Sequence, residues 1–485
     1  MILMAEEGLS RFIGLLSKKI SYSETELIKL GESFGMDLFS TAPIKESTDD
    51  AFVDKIREKS LEIMEKDKDN YLHQSDLFYA GSIDFMVCDE PKGKRFFLLE
   101  TNGGSNRGLS SITEKQQKII YDGYFEAIDQ AIKNNKRGDN KVLVLVGVPI
   151  NDGLIHEKII MVDYFRNKLQ NRNLKVEIFD IKNYSPPFKG DVAFLIADYK
   201  QLSTILSFSD NWVKINGQKI SVLVGDGIAR RLHDEQFARL IKEDFRKIHT
   251  IIINPVFRIT DDKSLTYLAS YYAKDILEKY NLKYLLFTKA YEEKELIEKI
   301  QHVITKFKRP FIIKPDGGSG GAGVIPISPE EDFSSIKTLI EESKKEFFSK
   351  FMKNRNPYPY TLQEMAEFSL ITPPWDKEGK HTFDIRIYMA QREGRIVPIG
   401  GLARIARGNY SGSLNKQEFV VNLSGYDGLI DIKRGRGISE EIGNLLDLNF
   451  DDYVNMFCIG CVMFASMARN YQKIIDFSNW DQIIE

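Results

Sequence analysis

The stretch PFIIKPDGGSGGAGVIPI, residues 310–327, decides how this chain is read. It opens on an apolar run that carries one lysine, Lys314, passes through a glycine-rich segment and closes on a second apolar run, VIPI. The string GSGGAG, from Gly318 to Gly323, satisfies G-x-G-x-x-G. That pattern marks a dinucleotide site only between the strand and helix of a βαβ unit, and VIPI reads as a strand, so the context is wrong. A Walker loop is excluded too, because no G-K-[ST] closes the glycine run. The residues predict two strands joined by a glycine turn. Glycine lets backbone N–H groups come close to polyphosphate oxygens, and Lys314 supplies a compact positive charge. An unpartnered ammonium in an apolar strand would be costly, which argues against a lysine that is merely solvated.

Working outward, DDKSLTYLASYYAKDILEKY (261–280) reads as helical before the lysine strand, and YTLQEMAEF, FDIRIYM and GGLARIARG read as strands after it, in a β-rich region ending near residue 432. The last fifty residues look helical. Residues 1 to about 70 also read as helices, from apolar positions every three or four residues (Leu9, Phe12, Leu15, Leu16; Phe52, Ile56, Leu61, Met64). IDFMVC and RFFLLET flank DEPKGK, whose Pro, Gly and charges mark a hairpin turn; GGSNRG then opens a loop. KVLVLVGVPI, KVEIFDI, VAFLIADY, ISVLVGD and TIIINPVF are strand candidates alternating with helical or loop segments. They predict a mostly parallel sheet with helices on its faces over roughly 140–255.

The 485 residues give room for two to four domains at roughly 100–200 residues each. Apolar residues at 42% exclude a disordered chain. Sixty-seven Lys and Arg against 70 Asp and Glu leave a net charge of −3 without large blocks, so the footprint of a nucleic-acid binder is missing and a small-molecule partner is expected. Cys88, Cys458 and Cys461 are too few and too odd for a disulfide framework and fit a reducing cytoplasm; the C-x-x-C of Cys458 and Cys461 lies in an apolar helical stretch and reads as core packing. That stretch is too short and too interrupted for a bilayer span, and no membrane partner is expected. His73, His156, His233, His249, His302 and His381 are scattered without a partner pattern and read as structural or exposed.

IIKP followed by the glycine hairpin resembles one jaw of the ATP site in the ATP-grasp superfamily. The resemblance implies that Lys314 and, in DDKSL, Lys263 contact phosphates, with Gly317, Gly318, Gly320, Gly321 and Gly323 covering them. It also implies that backbone groups near Gln363, Glu364 and Met365 read adenine and that Glu367 meets the ribose. Arg386 and Arg404 would face the transferred phosphoryl group, with Arg407 as a substitute for either. The family's metal motif, an acid and then E-x-N, is absent near the C-terminal end of the grasp region. It stands instead in the N-terminal hairpin as Asp84, Glu100 and Asn102, with Glu100 and Asn102 on one strand face. Such a set suits Mg²⁺, which takes oxygen ligands. This order is a circular permutation, similar to eukaryotic-type glutathione synthetase and glutathionylspermidine synthetase. Those families carry an arginine two residues before the hairpin aspartate, where this chain has Ser82; the role of Asp316 in the glycine loop is open.

The resemblance implies an α/β and α+β multidomain protein. Residues 1–135 would hold N-terminal helices and the metal hairpin of a permuted ATP-grasp fold, 136–256 an inserted Rossmann-like substrate domain, 257–440 the ATP-grasp core, and 441–485 C-terminal helices packing back on it. It further implies ATP and Mg²⁺ as cofactors and a ligase that joins a carboxylate and an amine, amino-acid or peptide-like, through an acyl phosphate, with a homodimer left open. A phosphotransferase acting on a hydroxyl and a non-catalytic nucleotide-binding scaffold are the alternatives. SLITPPWDKEGKHT (369–382) and RGNYSGSLNKQ (407–417) read either as mobile loops over the substrate or as plain surface loops. Trp375 would anchor the first of them, and Asn422 is a weaker candidate for orienting a phosphate or carboxylate.

Overall fold

The computed structural model describes residues 2–18, 21–66, 76–103, 108–135, 141–150, 153–225, 247–318, 320–351, 356–412, 415–423 and 430–481. It is a mixed α/β protein with several sheets. The N-terminal region is helical as expected: Ile2–Ser17, Glu24–Ser33, Ala42–Glu46 and Asp50–Glu65. Local chemistry sets these boundaries. Ser23 and Glu26 form a reciprocal capping box at the second helix, and the Asp49 carboxylate accepts the Ala51 and Phe52 amides at the fourth. Val53, Ile56, Ser60 and Met64 then fall on one buried stripe of that fourth helix.

The hairpin predicted around DEPKGK is β1 (Ala80–Glu90) and β2 (Gly93–Asn102). Next come β3 (Val142–Val148), β4 (Val176–Asp180) and β5 (Val192–Asp198). A meander follows, made of β6 (Leu206–Ser209), β7 (Trp212–Ile215) and β8 (Gln218–Lys219), and then β9 (Val222–Val224) and β10 (Ile251–Ile253). Five of these form a parallel sheet in the order β10-β9-β3-β5-β4, matching the expectation for 140–255. Every residue of β3 and β5 is buried, which is why they read as unbroken apolar runs rather than alternating ones. The β6–β8 meander was not anticipated. Its signals are Asp210-Asn211 and Asn216-Gly217, four residues at positive φ that make the two tight turns.

The chain then forms β11 (Phe287–Ala290), β12 (Phe311–Pro315), β13 (Ile325–Ile327) and β14 (Tyr360–Glu364), an antiparallel sheet in the order β11-β14-β12-β13. β12 and β13 are the two strands of the glycine hairpin, in register from Phe311↔Ile327 to Ile313↔Ile325. Last come β15 (Phe383–Arg392), β16 (Arg395–Ile405) and β17 (Gly435–Gly437). The N-terminal hairpin joins them in one antiparallel sheet, β17-β16-β15-β1-β2, with β1 against β15 from Ala80↔Ala390 to Met86↔Asp384.

One face of that sheet is core. Ile83, Phe85, Ile385, Ile387 and Ile405 pack with the buried side of the helix Phe450–Arg469. Cys458 and Cys461 lie in this layer, fully buried, with the Cys461 sulfur 3.7 Å from that of Met389. Burial raises the Cys458 pKa to about 12, so the thiol is an inert core group. Among the described residues, no helix is long and apolar enough to cross a membrane.

Candidate active site

The other face of the sheet β17-β16-β15-β1-β2 carries a polar patch, and strand register explains why. Asp84 pairs across to Glu100 on one side and to Arg386 on the other; Ser82 pairs with Asn102 and Tyr388; Asp384 pairs with Arg404. Directly opposed residues share a sheet face, so two hairpins far apart in sequence, β1–β2 and β15–β16, deliver their polar side chains to one surface. A β-bulge at Leu99 interrupts the β1–β2 ladder beside Glu100.

Two acids and two arginines interlock on this face. Arg386 donates Nε to Asp84 Oδ1 at 2.7 Å and Nη2 to Oδ2 at 2.6 Å. Arg404 donates Nη2 to Asp84 Oδ2 at 2.7 Å and Nε to Asp384 Oδ1 at 2.8 Å. Burial pulls the Asp84 pKa upward, but the two guanidinium charges overcome that and hold it below the usual carboxylate range. Burial outweighs Arg404 at Asp384, whose pKa is raised.

The lysine jaw meets this surface through Tyr267. Lys314 is buried and donates to the Tyr267 hydroxyl at 2.8 Å and to Gln363 Oε1 at 2.6 Å, and the Tyr267 hydroxyl donates to the Leu99 carbonyl at 2.6 Å. Two hydrogen bonds therefore connect the Lys314 ammonium to the residue before Glu100. Burial and the nearby Lys263 charge lower the Lys314 pKa to about 7, with Glu100 acting in the opposite sense. Glu100 also lies 3.8 Å from Arg386, so it stands between the arginine cluster and Lys314.

Lys263 opens the helix Lys263–Tyr271, capped by Asp262, and donates to the Gly318 carbonyl at 3.1 Å. Gly317, Gly320, Gly321 and Gly323 have φ of 60°, 61°, 74° and 73°, a conformation that a side chain would strain. Gly318 follows Gly317 and supplies the carbonyl that Lys263 bonds. Asp316 stands beside Asp262, Asp261, Lys289 and Lys263; burial and the neighbouring carboxylates raise its pKa.

The other expected residues have the following surroundings. Asp84, expected as a metal ligand, is clamped by both arginines: Oδ2 accepts two donors and Oδ1 one, which leaves at most one lone pair. The Met365 amide donates to the Pro310 carbonyl at 3.0 Å. Glu364 is tied to β11, its carboxylate accepting the Leu286 amide at 3.1 Å and pairing with Arg309, and the Gln363 side chain holds Lys314. Glu367 is exposed at the rim, near Lys283 and Cys88. Arg407 lies past the end of β16, exposed, and does not take the place of Arg386 or Arg404 in the cluster.

Loop 369–382 is pinned rather than loose: His381 is buried, bonded to the Ala406 carbonyl at 3.1 Å and to Asp376 at 2.9 Å. Trp375 stacks under Arg436, 5.0 Å from ring centroid to guanidinium. His156 is buried 3.4 Å from Glu24, and His249 and His302 are exposed; His73 and His233 lie outside the described residues.

Sequence reasoning missed Tyr267, Asp384, Glu346 and Lys416. Tyr267 falls one helical turn after Lys263, and Asp384 falls two residues before Arg386 on one strand, so both left a periodic signal. Asn102 and Glu100 fit a hard cation. The Asn102 amide nitrogen is buried with no hydrogen-bond partner among the described residues, so no bond there fixes which of its two terminal atoms is the oxygen, and Glu100 beside it is a partly exposed carboxylate.

No protein-family model matches the chain, and no curated protein matches it. It is similar to solved structures at low identity. One is a "Putative gamma-glutamylcysteine synthetase" from Methylobacillus flagellatus KT, at 12% identity and TM-score 0.43, covering 88% of this chain and 97% of that one. Another is a "glutathione synthetase like-effector (GSS30)" from Globodera pallida, at 9% identity and TM-score 0.37, covering 83% and 81%.

Proposed function

We propose that this chain is an ATP-dependent carboxylate–amine ligase with a permuted ATP-grasp arrangement. The observation that supports the reading is the link from Lys314 through Tyr267 to the Leu99 carbonyl, which sets the lysine hairpin two hydrogen bonds from the acidic hairpin, as two jaws of one nucleotide site would require. Lys314 and Lys263 would hold the phosphates under the glycine turn. The half-buried Leu99, Leu285, Ala366 and Phe368 would give the base an apolar seat. Glu100 and Asn102, with at most one Asp84 lone pair beside them, would hold Mg²⁺, and the ion would supply positive charge against the phosphates.

The chemistry asked of the residues is positioning and charge neutralisation. Asp84 and Asp384 hold two guanidinium groups rigidly on the sheet face, which keeps them aimed at the phosphoryl group as it moves to a substrate carboxylate. The amine then displaces phosphate from the acyl phosphate, giving an amide, ADP and phosphate. With its pKa lowered by burial, Lys314 would gain protonation as a polyphosphate enters, so its charge would be favoured where phosphate needs it. No histidine takes part in this scheme.

The test is to incubate the protein with MgATP and paired amino acids or small peptides, follow ADP, and weigh the product. The reading expects ADP only when acid and amine are both present and a product mass corresponding to an amide. A phosphate ester in its place, or turnover surviving both Lys314→Ala and Glu100→Ala, contradicts it.

A further inference from the structure

The segment 415–423 folds onto the glycine hairpin. Lys416 opens the short helix Lys416–Phe419, capped by Asn415, and its Nζ donates to the Gly321 carbonyl at 3.0 Å and to the Glu346 carboxylate. Glu346, on the helix Phe333–Phe351, uses the same oxygen to accept the Gly323 amide at 3.1 Å. One carboxylate thus grips the turn at Gly323 and orients the lysine that grips it at Gly321.

Packing supports the grip. A Cβ at Gly321 would lie 3.2 Å from Val420, and one at Gly320 would lie 2.9 Å from the Asn422 side chain. Ser343 bonds the Gly323 carbonyl and shares a 2.9 Å hydrogen bond with the Tyr360 hydroxyl of β14. A turn made of glycines has no side chains with which to anchor itself, so its position depends on these backbone contacts. Burial lowers the Lys416 pKa while Glu346 opposes the change.

We propose that Lys416 and Glu346 form a latch that holds the glycine hairpin over the nucleotide, making Lys416 a positioning residue that acts through the turn. The inference rests on the nucleotide reading of the cleft. It concerns residues outside every motif used to reach that reading, and it is the direct role of this pair that is tested.

Hydrogen exchange of the amides of residues 320–324 in the nucleotide-free protein is the first measurement, and the affinity for MgATP by calorimetry is the second. Losing a charged hydrogen bond to the turn is expected to speed exchange about tenfold and weaken MgATP about tenfold in Lys416→Ala, with Glu346→Gln moving both in the same direction. Lys416→Arg, which keeps the charge and the donors, is expected to restore both. Unchanged exchange in Lys416→Ala and Glu346→Gln, with melting temperatures equal to that of the unaltered chain, overturns the latch. Faster exchange that Lys416→Arg does not restore also overturns it, since that is general loosening. Absence of MgATP binding by the unaltered chain instead defeats the nucleotide reading, and the exchange results then decide the latch alone.

Discussion

Replacing Asp84 by Asn separates two roles for that residue. Two arginines and two aspartates cancel in the buried cluster, and Asp84 accepts three of its hydrogen bonds. An asparagine has one acceptor oxygen, and its NH₂ would face guanidinium N–H groups whichever way it turns. The cluster would also gain a net positive charge around a side chain that is 1% exposed. Breaking a buried pair from one side costs about 3–5 kcal/mol, and the partial exposure of Arg386 favours the lower end, about 3.

At less than about 2–4 °C per kcal/mol for a chain this long, the expected shift is a melting temperature several degrees lower, read by calorimetry. Glu100→Gln is the control. Glu100 is 34% exposed and 3.8 Å from Arg386, so its loss should cost under about 1 kcal/mol while removing Mg²⁺-dependent nucleotide binding. The sign of the pH dependence follows from the lowered Asp84 pKa: the contribution stands in full above about pH 4 and is lost as the pH falls through the folded-state value. The gap between Asp84→Asn and the unaltered chain should therefore persist at pH 5. An Asp84→Asn protein that melts with the unaltered chain and loses only cation affinity would refute the clamp and restore Asp84 as principally a metal ligand.

Lys314 should couple nucleotide binding to protons. With its pKa lowered to about 7, the folded chain binds fewer protons than the unfolded one between about pH 7 and 10.5, so this residue's contribution to stability rises with pH across that window. MgATP should restore the charge, giving proton uptake near pH 8.5 in calorimetry run in two buffers; no uptake there contradicts the phosphate contact. Tyr267→Phe removes the hydroxyl between Lys314 and Leu99 and should weaken MgATP about tenfold or more while leaving the fold intact, and undiminished affinity counts against the shared cleft. Gly323→Ala places a Cβ 2.8 Å from Pro315 at φ 73°, and should cost about 1–3 kcal/mol locally and raise proteolysis of the hairpin; wild-type resistance would show that the turn tolerates the strain.

Much of this architecture was legible because burial writes itself into residue pattern. β3 and β5 are buried along their whole length, so their sequences are continuously apolar, and DEPKGK could only be a turn. The convergence of Asp84 with Arg386 was not legible in the same way. It depends on the register of β1 against β15, which no local pattern encodes, although the alternation of Asp384, Arg386 and Tyr388 in FDIRIYM does mark a polar face. A resemblance assigned Asp84 to the cation, but the neighbouring arginines decide its charge state and most of its lone pairs. Lys416 was hidden for another reason: a lysine in a polar loop looks solvated until the helix bearing Glu346 is placed beside it.

In the proposed site the hairpin β1–β2 and the hairpin β12–β13 close on one nucleotide. Crystals grown with Mn²⁺ and a non-hydrolysable ATP analogue test it through the anomalous signal of the metal. A peak is expected at Glu100 and Asn102, with the triphosphate running from there to Lys314 and Lys263. A metal peak away from Glu100 and Asn102, or a nucleotide bound without contact to Lys314, would contradict it.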